Sequence, residues 1–173
     1  MRKHWIPAAI ALLLPVCAMA AEKPALSKDA ATAAFQRIKS LEGNWESKGT
    51  PQGDATISYK VIASGSAVLE RFNFVNHPEQ EMVTMYTLEN GNLVLTHYCM
   101  AGNQPRMTAR RFSPATGDLA FDFAGGSNIA PGAGHMHTAR FKFTDPDHFS
   151  SNWQFVEAGK TKFTEDVTYT RVR

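Results

Sequence analysis

Five ionisable side chains occupy positions where a strand-forming chain ordinarily places an apolar residue. Residues two apart share one face of a strand. On that count Glu70 falls with Val68, Phe72 and Phe74; His97 with Leu93, Leu95 and Cys99; and Arg110 with Thr108 and Phe112. His137 falls with Ala139 and Phe141, and Glu165 with Phe163 and Val167. Burying an unsatisfied polar group costs roughly 1–3 kcal/mol. Two carboxylates, two imidazoles and a guanidinium around one interior therefore either neutralise each other as a structural network or anchor the polar end of a ligand. As an anchor, Arg106 or Arg110 would grip a carboxylate or carbonyl, while an aromatic wall takes an apolar tail. A catalytic alternative, an isomerase or hydrolase, uses Glu70 or His97 as general base and Arg110 as oxyanion partner. No Gly-x-Ser-x-Gly elbow or ordered Ser-His-Asp set accompanies these residues. Ligand binding is the expected function, and whether any catalysis occurs stays open.

Other spacings carry less chemistry. His135-x-His137 and His97-x-Cys99 each place two metal-ligating types on one strand face. No Cys-x-x-Cys or His-Glu-x-x-His pattern accompanies them, so ordinary histidines are expected, with no metal and no cofactor. Asn103, Gln104 and Arg106, in a turn just after His97-Tyr98, form a candidate rim. The run 124–134 holds four Gly and one Pro. It reads as a flap across one opening rather than as a strand interior, and no helix follows it to make a phosphate cradle.

These residues must be positioned by strands. One helix is expected over residues 27–40, capped by Ser27, with Ala31, Ala34, Phe35, Ile38 and Leu41 at three- and four-residue spacing. Ten period-two segments follow: 45–48, 55–61, 68–74, 82–88, 93–100, 106–112, 118–123, 137–143, 149–155 and 163–169. Asn90-Gly91 and Ala158-Gly159 supply tight turns. Many short strands and a single helix predict an all-β, about ten-stranded antiparallel up-and-down barrel over residues 43–171, wide enough for a small ligand.

Residues 1–20 carry Arg2-Lys3, an apolar run and Ala18-Met19-Ala20. This is the layout of a signal peptide cleaved near Ala20, which implies a periplasmic or secreted protein. The apolar run is short for a membrane span, and Pro15-Val16 before Cys17 is a poor lipid-attachment context. The chain has 18 Lys and Arg against 16 Asp and Glu; loss of Arg2 and Lys3 brings the two counts level. No global field then favours nucleic acid. A single domain over residues 21–173 remains, with Cys99 as its one thiol, so no internal disulfide is expected. The mature chain is expected to hold no integral membrane segment.

Gly43-Asn44-Trp45, opening the first strand after the helix, and the strand meander behind it resemble the calycin group of lipocalins, fatty-acid-binding proteins and nitrobindin-like barrels. Within it the chain looks most like uncharacterised bacterial secreted proteins with a stretch like residues 95–107. The resemblance implies a hollow barrel for a small, mostly apolar or amphipathic molecule. Nitrobindin-like proteins hold haem through a His near the C-terminal strands. Here the last His is His148, so no haem role carries over.

Overall fold

The computed structural model describes residues 24–50 and 53–173. The expected signal peptide lies outside them. These described residues form one α-helix, α1 (Lys28–Lys39), and ten strands: β1 (Gly43–Thr50), β2 (Gly53–Ile62), β3 (Ala67–Phe74), β4 (His77–Glu89), β5 (Asn92–Tyr98), β6 (Gln104–Ser113), β7 (Asp118–Ser127), β8 (His135–Phe143), β9 (His148–Glu157) and β10 (Lys160–Arg171). Each strand pairs antiparallel with the next, and β1 closes on β10 through Trp45 opposite Arg171 and Glu46 opposite Thr170. Closure removes the exposed edges that an open sheet presents. The expected ten-stranded antiparallel barrel with one helix near its start is what the chain forms.

Local chemistry explains the elements. Ser27 Oγ accepts from the Ala30 amide at 3.2 Å at the start of α1. Asp29 sits in the first turn and Arg37 and Lys39 in the last, each complementing the helix dipole. Asn90 and Gly91, at φ 51° and 83°, make the β4–β5 turn in the left-handed region that hairpins of matched twist require.

α1 lies across one end of the barrel, burying Ala31, Ala34, Phe35 and Ile38. Trp45 closes the same end: it is 1% exposed, its indole donates to Leu41 O at 2.8 Å, and the Arg171 guanidinium covers its ring at 4.0 Å. Arg171 also donates to Glu42 O at 2.8 Å and Ser40 O at 3.1 Å. One side chain thus ties strand closure to the chain leaving the helix.

The alternation breaks at bulges, and two of them decide which side chains reach the interior. Between Ala109 opposite Phe121 and Arg111 opposite Ala120, β6 carries one additional residue, Arg110. Between Met136 opposite Phe155 and Thr138 opposite Gln154, β8 carries another, His137. Each insertion switches the inward parity. Buried Met107 and Ala109 give way to Phe112, and buried Met136 gives way to Ala139, Phe141 and Phe143.

The glycine-rich run also differs from expectation, because β7 continues through Gly125 and Gly126 to Ser127, paired with Gln104 and Pro105. A Cβ on Gly126 would meet Gln104 O at 2.5 Å. The glycines permit that close approach at an irregular register rather than ending the strand. Among the described residues no helix is long and apolar enough to cross a membrane.

Candidate functional site

The interior holds a polar cluster in a largely aromatic barrel. Glu70 on β3 is 4% exposed, Thr84 on β4 is fully buried, and His97 on β5 is 5% exposed. Cross-strand register brings them together, with Glu70 opposite Thr84 and Thr84 opposite His97. The Thr84 hydroxyl donates to Glu70 Oε1 at 3.1 Å and lies 3.0 Å from His97 Nδ1. The Tyr86 hydroxyl donates to Glu70 Oε2 at 2.5 Å.

A hydroxyl carries one proton. With Glu70 ionised, Thr84 donates to it and His97 Nδ1 is the protonated nitrogen donating to Thr84. His97 Nε2 is then a bare lone pair, and no side chain or backbone group bonds it.

Burial pushes the Glu70 carboxyl up, opposed by the donors Tyr86, Tyr59 and Thr84, which favour the ionised form. Burial also holds the His97 imidazole at about 4, well below 6.5, so it is neutral at pH 7. The buried Tyr86 and Tyr59 hydroxyls are held far above their ordinary range, chiefly by desolvation and then by the Glu70 charge.

A small cavity opens beside this cluster, bordered by Tyr59, Glu70, His97, Ser151, Trp153 and Glu165 among apolar neighbours. It offers about 20 Å³ to the centre of a water-sized sphere, and one such sphere needs about 10–15 Å³. It therefore takes one compact group. Glu165 Oε1 is buried there without a hydrogen-bond partner, and burial raises its carboxyl pKa. Tyr59 and Ser151 stand near enough to Glu70 and Tyr169 to act on their ionisation, yet neither hydroxyl closes a hydrogen bond of normal geometry.

At the end away from α1 the cavity adjoins an apolar mouth of about 420 Å³, whose lining includes Phe74, Met100, Phe155 and Phe163. Met82, Met136 and Glu165 line both spaces. Phe155 and Phe163 stack at 4.9 Å on its wall. Met100 and Phe163, 57% and 45% exposed, put apolar surface on the rim.

Of the residues singled out in the sequence, Glu70, His97 and Glu165 come together at this cavity. The others stand elsewhere. Arg106 pairs with Glu89 at 2.6 Å on the exposed outer surface. Arg110, the additional residue of the β6 bulge, does not line the cavity. His137 stacks on Phe123 at 5.1 Å and meets His135 Nε2 at 3.2 Å, beside the glycine-rich loop. In the expected rim, Asn103 is buried and donates to Gly134 O at 2.8 Å.

Thr84, Tyr86, Tyr59 and Ser151 went unnoticed as polar groups of the interior. Each shares inward parity with a recognised core residue, so a count of hydroxyls as well as charges along each face would have found them. Among the described residues no three His, Cys, Asp or Glu side chains gather as metal ligands.

No family model matches the chain, and no curated protein matches it. Among solved structures it is similar to a protein of unknown function of the DUF3598 family from Nostoc punctiforme PCC 73102, with a TM-score of 0.53 at 13% identity. The match covers 78% of this chain and 48% of that one. The chain thus spans about half the length of this neighbour, and at such identity the likeness concerns the fold alone.

Proposed function

We propose that this protein is a binding module for a small, mostly apolar or amphipathic molecule, held in the barrel with its polar end inward. One observation carries the reading: an apolar mouth and an inner cavity with unsatisfied polar atoms share Met82, Met136 and Glu165 as common wall. Unsatisfied buried groups cost about 1–3 kcal/mol each when left so. Pockets that bind small molecules combine apolar walls with a few convergent polar groups, and this lining has that composition.

The leader-like residues 1–20 support a periplasmic or secreted location, and the calycin-like features support a carrier or storage role. A catalytic reading draws on His97, a neutral imidazole backed by Thr84 and Glu70. It loses its oxyanion partner because Arg110 does not border the cavity.

The test is a fluorescence titration with the neutral apolar probe N-phenyl-1-naphthylamine. Wild type is expected to bind saturably at one site. Ala101→Trp, which fills the mouth from an exposed rim position, is expected to weaken binding by about tenfold or more, a loss of about 1.4 kcal/mol. Equal affinity in both proteins would place the probe elsewhere and remove the reading.

A further inference from the structure

We propose that the head group this barrel accepts is a compact hydrogen-bond donor, one hydroxyl or primary amino group on an apolar body, and that carboxylates are excluded. The inference rests on the binding reading above and specifies its ligand class.

Three features of the inner cavity lead to it. The first is size: room for one water-sized group admits an –OH or –NH₃⁺ and rejects a branched or quaternary head. The second is charge. No Lys or Arg lines the cavity or the mouth, while Glu70 and Glu165 both do line the cavity. A carboxylate ligand would be desolvated beside two carboxyl groups with no cation to offset it.

The third is hydrogen-bond polarity. Four side chains of the cavity carry an unsatisfied polar atom: the Tyr59 and Ser151 hydroxyls, which can donate or accept, and His97 Nε2 and Glu165 Oε1. With Glu70 ionised, Thr84 donates to it, so His97 Nδ1 holds the ring proton and Nε2 accepts. A primary ammonium can donate to both His97 Nε2 and Glu165 Oε1 and a hydroxyl to one of them, whereas a pure acceptor satisfies neither and is left the Tyr59 and Ser151 hydroxyls alone. Trp153, whose ring lies 5.1 Å from the His97 ring, lines the cavity and offers an aromatic face that an ammonium also favours.

The selectivity runs through Thr84. Were Glu70 to bind a proton on Oε1, it would donate to Thr84, Thr84 would donate to Nδ1, and Nε2 would carry the hydrogen and become a donor. The charge state of a carboxyl two residues removed thus sets what the cavity recognises.

Decanol, decylamine, decanoate and decyltrimethylammonium share one tail and differ in head group. Calorimetric titration of each into the full chain at pH 7 separates the alternatives. Decanol or decylamine is expected to bind at least about tenfold tighter than both decanoate and the quaternary ammonium, and which of the two wins distinguishes alcohol from amine. His97→Phe is expected to shrink that preference by weakening decanol and decylamine, and Glu165→Gln by weakening them and strengthening decanoate. Should His97→Phe fail to fold, ¹⁵N resonances of the wild-type His97 ring give the same answer, Nε2 shifting on ligand addition while Nδ1 stays protonated.

Decanoate binding as tightly as decanol and decylamine, or a preference untouched by both substitutions, overturns the inference and leaves the binding reading standing. Failure of all four ligands to bind removes the binding reading and this inference with it.

Discussion

At the scale of single residues, the site is governed by desolvation acting on groups of opposite sign. His97 has a folded pKa of about 4 against 6.5, so the unfolded chain takes up its proton first as pH falls. The stability from neutral His97 is complete above pH 6.5 and is lost between there and about 4, amounting to about 3 kcal/mol at 1.36 kcal/mol per unit. Glu70 and Glu165 are raised. Their contribution is therefore complete below about 4.5 and is lost as pH rises through their folded values. Urea denaturation of wild type and His97→Phe at pH 7 and pH 4 is expected to show the variant's stability relative to wild type improving by about 3 kcal/mol on acidification. An unchanged difference would mean that His97 is solvated.

Tyr86→Phe removes a donor to a buried carboxyl and is expected to cost about 1–3 kcal/mol, measured the same way at pH 7. Residue parity made Glu70, His97 and Glu165 legible in the sequence, because β3, β5 and the inner part of β10 keep an unbroken period of two around them. Arg110 and His137 were misplaced because each is itself the extra residue of a bulge. Parity counting cannot register a one-residue insertion whose flanks remain apolar.

At the scale of elements, the cap at the α1 end and the bulged β6–β7 ladder carry the shape. Trp45 packs edge-on to Phe149 at 4.8 Å under Arg171. Trp45→Ala is expected to cost about 3–5 kcal/mol in chemical denaturation. Gly126→Ala forces a Cβ against Gln104 O at 2.5 Å and is expected to cost about 1–3 kcal/mol while leaving probe affinity at the mouth intact. The helix was legible from Ser27 and its apolar stripe because both signals are local. The extension of β7 through Gly125 and Gly126 was not, since composition alone argues against a strand there and only the partner backbone of β6 makes glycine necessary.

At the scale of the whole molecule, α1 covers one end of the barrel and the apolar mouth lies at the other, so the proposed binding reading has its ligand enter past Met100 and Phe163. Cys99, half-buried in that wall with its thiol pKa raised by burial, reports on entry. Maleimide labelling of Cys99 is expected to be slow and to slow at least about threefold further when the mouth is occupied by N-phenyl-1-naphthylamine at saturation. An unaltered rate would separate the mouth from the binding event. Closure into a barrel was legible in the count and spacing of the strands; the division of its lumen into a water-sized polar pocket and an apolar mouth was not, because it depends on which side chains meet across seven strands.

Native mass spectrometry of protein isolated under mild conditions from its own host tests the central claim most directly. The expected spectrum shows one small organic molecule per chain, released on denaturation and absent from Ala101→Trp. A chain that is uniformly empty as isolated, and that takes up none of the four decyl compounds when they are added, would contradict it.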